Sequence, residues 1–265
     1  MKLLLACFLA VLQFSLAQLA FGETTSRVID IPTRPGVTQR FIFLSPAKPT
    51  AAVILFAGGE GGLQISPDGE MKWGKGNFLV RTRRQFADQG VAVAVVDAPS
   101  DRQRYPFLGG FRQTPEHVTD IKAVIAWLRQ QTNKLPVWLV GTSRGTQSAA
   151  FIATQLGPAQ GGPDGLVLTS TILTDTQGRP VPDMPLEKLS IPVLVVHHEQ
   201  DGCKHCAYSN IPRLMEKLPS GVRKELITER GGNDQGDPCE AFAHHGFSGL
   251  ETEVVQKIAA FIQSR

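Results

Sequence analysis

The sequence is short of clustered charge. Its 27 Lys and Arg stand against 24 Asp and Glu, a formal charge of +3, with no basic block anywhere. A nucleic-acid footprint needs cations gathered on one face, so that class of partner is excluded first. Cysteine is scarce too: four in 265 residues do not make a disulfide scaffold. No fixed-period repeat and no low-complexity run divides the chain. Beyond the first 22 residues, no apolar stretch is long enough to span a bilayer. What is present is an ordinary globular composition, 42% hydrophobic and 19% charged, on a chain long enough for one large domain or two small ones.

Met1 and Lys2 precede an apolar run, Leu3 to Leu12, that Gln13, Ser15 and Gln18 interrupt. Small residues suited to cleavage follow at Ala17, Ala20 and Gly22. The segment reads as a secretory signal over residues 1–22, with one domain over 23–265. The expected location is therefore periplasmic or secreted, with no stable membrane association after removal of the signal. Export changes the cysteine arithmetic: Cys7 goes with the signal, leaving Cys203, Cys206 and Cys239 in an oxidising compartment. One bridge and one free thiol is the simplest outcome.

Apolar, β-branched runs recur at Arg40–Leu44, Ala52–Phe56, Val91–Val96, Pro136–Val140, Gly165–Thr169, Pro192–His197 and Arg223–Thr228, with a weaker one near Val28–Ile31. Helical patterns lie between them at Phe78–Gln89, Pro115–Gln131, Arg144–Gln155, Tyr208–Lys217 and Glu251–Gln263. Thr114 before Pro115 is a cap followed by proline in the first turn. Continuous apolar strands alternating with helices predict an α/β fold, a mostly parallel sheet covered on both faces. The first strands lack an intervening helix, which makes that edge antiparallel. The Pro-, Asp- and Gly-containing stretch Thr174–Ser190 reads as a connection.

The strongest local signal is Val137-Trp138-Leu139-Val140 running into Gly141-Thr142-Ser143-Arg144-Gly145 and an Ala-rich helix. A strand, a G-x-S-x-G turn and a helix form the setting of a nucleophile elbow. A serine hydroxyl needs a base, and the base needs an orienting acid. Among six histidines, His117 reads as a surface or capping residue at a helix start. Of His197 and His198, at least one reads as packed at a strand end. His205 lies between two cysteines. His244 and His245 stand in the loop before the last helix, where a base can reach back over the sheet edge, and His245 is preferred. For the acid, Asp201 follows the strand ending at His197; Glu199 and Asp175 are the alternatives.

These residues, GTSRG around Ser143, HHEQDG around Asp201 and HHGF around His245, resemble the α/β-hydrolase superfamily in the chain order nucleophile, acid, base. The resemblance runs from the strand at Ala52 to the last helix. The stretches NFLVRTR (Asn77–Arg83) and DAPSD (Asp97–Asp101) are similar to bacterial, exported members with no assigned substrate. It implies an eight-stranded, mostly parallel sheet and acyl transfer to water through an acyl-enzyme on Ser143. It also implies an oxyanion hole of two backbone N–H groups: that of Arg144, and one from the loop after Phe56. There the family commonly carries His-Gly and this chain carries Ala57-Gly58. Gly59 is the first choice for the second donor and Gly58 the next.

If Asp201 and His245 meet, their loops meet, which favours a Cys203–Cys239 bridge over Cys206–Cys239 or Cys203–Cys206. Cys203-x-x-Cys206 with His205 has no second ligand pair at zinc spacing, so neither a metal nor a cofactor is expected. GEMKWGK (Gly69–Lys75) starts like a phosphate loop, but Gly76 replaces the needed hydroxyl residue and no strand precedes it. Arg102, Arg104 and Arg112 read as a solvated loop near the site. The reading is a serine ester hydrolase for small-molecule or exposed esters, without a large lid, similar to dienelactone hydrolases and cutinases. A peptidase, thioesterase or acyltransferase on the same residues is the alternative, as is a catalytically silent binding protein. No feature of the sequence fixes an oligomeric state.

Overall fold

The computed structural model describes residues 23–175 and 177–264, so the signal expected over 1–22 lies outside the described residues. Eight strands form one sheet: β1 (Thr25–Arg34), β2 (Val37–Ser45), β3 (Ala51–Phe56), β4 (Val91–Val96), β5 (Val137–Thr142), β6 (Gly165–Thr169), β7 (Val193–His198) and β8 (Lys224–Glu229). Their order across the sheet is β1-β2-β4-β3-β5-β6-β7-β8. The pairs β1/β2 and β2/β4 are antiparallel, and every pair from β4/β3 to β7/β8 is parallel. This is the α/β-hydrolase fold.

The middle strands are buried from end to end, which is why they read as unbroken apolar runs. On one face Ile121, Ile125 and Leu128 of α3 (Pro115–Gln131), Ile152 of α4 (Gly145–Gln155) and Leu214 of α5 (Ile211–Lys217) pack against alternate strand residues such as Ile54 and Leu139. On the other, Phe78 of α1 (Phe78–Arg81), Phe86 of α2 (Arg83–Asp88) and Val254, Ile258 and Phe261 of α6 (Glu251–Gln263) cover Val53, Val93 and Val140. Each face is a dry core, and burying such side chains contributes roughly 1.5–3 kcal/mol apiece.

Two elements depart from the sequence reading. The weak Val28–Ile31 strand is ten residues long; half of its residues are exposed and only Ile31 is buried, so the apolar alternation that marks a strand is diluted. The helix expected over Phe78–Gln89 breaks at Thr82, whose hydroxyl bonds the Phe78 carbonyl at 2.6 Å and competes with the helical pattern. α3 and α6 have the bounds the pattern predicts, and Thr114 Oγ1 caps α3 by accepting from the His117 amide. Between β6 and β7 the described chain holds two short 3-10 turns, Val181–Asp183 and Leu186–Lys188, and no helical lid.

Candidate active site

The G-x-S-x-G turn sits where β5 meets α4, and its two glycines answer to close approach. A Cβ at Gly145 would fall 2.1 Å from the Phe56 carbonyl oxygen, and one at Gly141 would fall 2.5 Å from that of Gly145. No side chain fits either place. Ser143 is held at φ +52°, a conformation that costs a non-glycine residue about 1–3 kcal/mol. Its neighbours fix it there: the Ser143 amide donates to the Thr169 carbonyl at 3.1 Å, and Thr146 Oγ1 donates to the Ser143 carbonyl at 2.6 Å. The result is a serine side chain raised from the carboxyl end of the strand into a cavity of about 430 Å³.

His245 borders the same cavity. Its Nδ1 lies 2.9 Å from Asp201 Oδ2, with Asp201 wholly buried. Asp201 Oδ1 also accepts the Cys203 amide at 2.9 Å, so the carboxylate is fixed by its own turn. The other acids are engaged elsewhere: Glu199 pairs with Arg230, and Asp175 accepts from Arg144 at 2.8 Å and from Gln147 at 3.0 Å. His244 instead stacks flat on His198, ring centroids 4.1 Å apart.

The histidine loop is held by distant partners. Ser170 Oγ donates to the His245 carbonyl at 2.6 Å, and Arg81 donates to the Gly246 carbonyl at 2.7 Å while pairing with Glu251 at 2.9 Å. Phe247, at φ +54°, turns inward and packs on Phe78. A disulfide joins Cys203, beside the acid, to Cys239, in the histidine loop. Cys206 is a buried free thiol, and burial raises its pKa well above the usual thiol value, with Asp201 adding to the effect.

Cys203, Cys206 and His245 place their donor atoms within 4.8 Å of one another. Cys203 is bonded to Cys239, and a disulfide sulfur is not the thiolate a metal site needs, so the set does not fit a resident metal.

The loop after β3 passes directly beside Ser143: a Cβ on Gly58 would lie 3.0 Å from Ser143 Cβ. Gly59, at φ +55°, borders both this cleft and a second, polar cavity of about 260 Å³ that Arg144 also lines. Underneath runs a network that the sequence reading placed wrongly. Arg112, expected in a solvated loop, is 5% exposed. It donates to the carbonyls of Ala57 at 3.1 Å and Gly59 at 2.9 Å and to Ser148 Oγ at 2.9 Å. His117, expected as a surface or capping residue, gives its amide to the Thr114 cap, but its side chain is buried with Nε2 3.0 Å from the same hydroxyl. Burial, reinforced by the charge of Arg112, holds His117 down to about 3, so its ring is neutral. The misreading has a simple cause: α3 presents His117 to the core, and nothing local to HVTD says which face that is.

His197 and His198 are both packed. His197 Nε2 bonds the Cys206 carbonyl at 2.6 Å, and burial lowers its pKa to about 4; His198 Nε2 bonds the Gly231 carbonyl at 2.9 Å. The NFLVRTR and DAPSD stretches also acquire physical roles. Arg81 clamps the histidine loop. Asp97 collects the backbone amides of Leu63, Gln64, Ile65 and Ala98 at 2.7–3.1 Å, fixing the chain just past the glycine loop. Trp73, inside the rejected GEMKWGK stretch, borders the cleft, a role with no local signal in the sequence.

Comparison with family models finds no match. Comparison with curated proteins finds none either. Solved structures do match over most of the chain. A cold-adapted esterase from an Arctic intertidal metagenomic library superposes with a TM-score of 0.61 at 16% identity, covering 89% of this chain and 94% of that one. Dienelactone hydrolase from Anabaena variabilis gives 0.58 at 17% identity, covering 89% and 96%. An α/β serine hydrolase without lid from Xanthomonas campestris gives 0.51 at 16% identity, covering 91% and 92%. At these identities the likeness establishes the fold.

Proposed function

We propose that this protein is a serine hydrolase that cleaves carboxylic esters. The observation that carries the reading is one cleft bordered by both Ser143, raised on a positive-φ turn, and His245, whose Nδ1 is held by a buried carboxylate. His245 takes the Ser143 proton as Oγ bonds the ester carbonyl carbon, then gives it to the departing alkoxide. Water attacks the acyl-enzyme next, losing a proton to His245, which returns it to Ser143 as the acid leaves. Asp201 orients the imidazole and stabilises its charged form, and the N–H groups of Gly59 and Arg144 bind the oxyanion, each such donor being worth about 3 kcal/mol. The absence of a helical lid among the described residues leaves the cleft open to small or exposed esters.

Hydrolysis of a p-nitrophenyl acyl series, with amide and thioester analogues alongside, tests the reading. Ester turnover by the native chain that vanishes in Ser143→Ala supports it; equal turnover by that variant contradicts it. The leader-like first 22 residues and the disulfide support export, checked by sequencing the amino terminus of protein recovered from outside the cytoplasm.

A further inference from the structure

Apolar side chains exposed singly are ordinary on a protein surface, but neighbouring ones that line one cleft mark a binding surface. Among the described residues three are exposed, Trp73 at 46%, Phe242 at 54% and Tyr105. Trp73 and Phe242 both border the cleft that holds Ser143 and His245. The indole edge of Trp73 lies over Gly59, since a Cβ built on that glycine would sit 2.8 Å from its ring. Phe242 lines the same cleft beside Gly76, three residues before His245 and three after the bridged Cys239. It is packed by Arg81, whose guanidinium carbon lies 5.4 Å from the ring centroid. Both rings are thus anchored to the two segments between which a scissile ester would sit.

The charge of the lining is one-sided. Among the described residues that line it, the ionisable side chains besides His245 are Asp237 and Glu240, and no Lys or Arg is among them; Arg81 stands behind the lining, donating to the Gly76 and Gly246 carbonyls. Lys72 and Lys75 flank Trp73 in the chain but stay outside the lining, and Lys75 pairs with Glu70 at 2.7 Å. Arg81, behind Phe242, is neutralised by Glu251. The cations nearest the oxyanion loop, Arg112 and Arg144, belong to the polar cavity on the other side of Gly59.

We infer that Trp73 and Phe242 form an aromatic clamp that selects esters bearing an uncharged, flat ring next to the scissile carbonyl, on either its acyl or its alcohol side, and rejects carboxylate-bearing ones. This rests on the serine-hydrolase reading and sharpens it to a substrate class. A ring seated against two aromatic walls gains area burial and edge or face contacts that an alkyl chain of equal size lacks. An acyl or alcohol group carrying a carboxylate would instead meet Asp237 and Glu240, with a penalty that salt screens.

The test compares kcat/KM within matched pairs whose leaving groups are closely similar: benzyl acetate with n-pentyl acetate, methyl phenylacetate with methyl hexanoate, and 4-(acetoxymethyl)benzoate with its methyl ester, the last pair read by release of acetate. At least one ring-bearing ester should exceed its alkyl partner by about tenfold, and that ratio should fall below about threefold in Trp73→Ala and in Phe242→Leu. The benzoate should trail its methyl ester by about fivefold at low ionic strength and less in high salt. Ratios below about threefold in both native pairs, ratios that neither variant changes, or a benzoate as good as its ester would overturn the inference. Fluorophosphonate labelling of the same samples separates the two levels. If Ser143 labels and the ratios are flat, or none of the esters turns over, only the clamp is lost. If Ser143 does not label, the serine-hydrolase reading falls and the clamp with it.

Discussion

The two halves of the proposed catalytic pair are built in different ways. Ser143 is placed by its own neighbourhood, a strand end, two glycines and a helix start within a few residues. The two glycines are required by contacts under 3 Å that leave no room for a side chain. His245 is placed from far away, by Asp201 and Ser170 at separations of 44 and 75 residues, by Arg81 acting on Gly246 at 165, and by a disulfide spanning 36. A site made this way has one half as robust as the fold and one half that depends on several independent clamps. Perturbations of the histidine half should therefore reduce catalysis while the serine corner and the sheet persist.

The largest expected effect comes from the clamp nearest the chemistry. Asp201→Asn keeps the shape but loses the charge and reverses a hydrogen bond, and kcat should fall about 10³–10⁴-fold with little change in KM. Steady-state kinetics on one ester reads this directly. A loss below about tenfold would show that His245 does not depend on Asp201.

Acid should act on both halves together. His117, beneath the serine side, and His197, beside Asp201, are held by burial to about 3 and about 4 against an ordinary value of 6.5. Below pH 6.5 the unfolded chain binds protons at these positions that the folded chain refuses. Stability thus rises with pH across that window and falls as pH drops towards 4. Each histidine contributes a slope of about 1.4 kcal/mol per pH unit there. Urea unfolding at a series of pH values should show this slope, and His117→Gln should reduce it. A flat profile between pH 6.5 and 4 would contradict the neutral, buried assignment of both rings.

Loss of the bridge sharpens the comparison further. Cys203→Ala with Cys239→Ala should cost about 3–4 kcal/mol of stability in urea titration, by the chain-entropy relation for a loop of this size. The surviving folded fraction should retain the Ser143 corner but show a reduced kcat. A smaller effect is expected from Arg112→Met, which leaves the buried Ala57 carbonyl and the partly buried Gly59 bond without their donor. About 2 kcal/mol of stability and about a tenfold loss of kcat at unchanged KM are expected. Equal loss in KM would place Arg112 on substrate binding instead.

The same contrast explains what the sequence could and could not reveal. The serine corner is legible because each of its requirements is local: apolar strand, small residues at fixed offsets, helix. β3 to β7 are legible because burial on both faces leaves unbroken apolar runs, and α3 and α6 because their faces repeat at helical spacing. Of the clamps, Asp201 and the Cys203–Cys239 bridge are expected from the sequence, and the others are not legible. Arg81, Ser170, Arg112 and His117 act through tertiary contacts with carbonyls or hydroxyls more than 30 residues away, and nothing in their flanking sequence differs from that of a surface residue. Trp73 lies in a stretch whose nearest pattern, a phosphate loop, is irrelevant to it. Its significance appears only when the glycine loop passes under its ring.

The most direct measurement of the central claim is covalent labelling of the native chain with a fluorophosphonate, located by peptide mass. The account predicts one adduct, on the peptide containing Ser143, absent from Ser143→Ala and strongly slowed in His245→Ala. No adduct on folded native protein, or an adduct undiminished in Ser143→Ala, would contradict it.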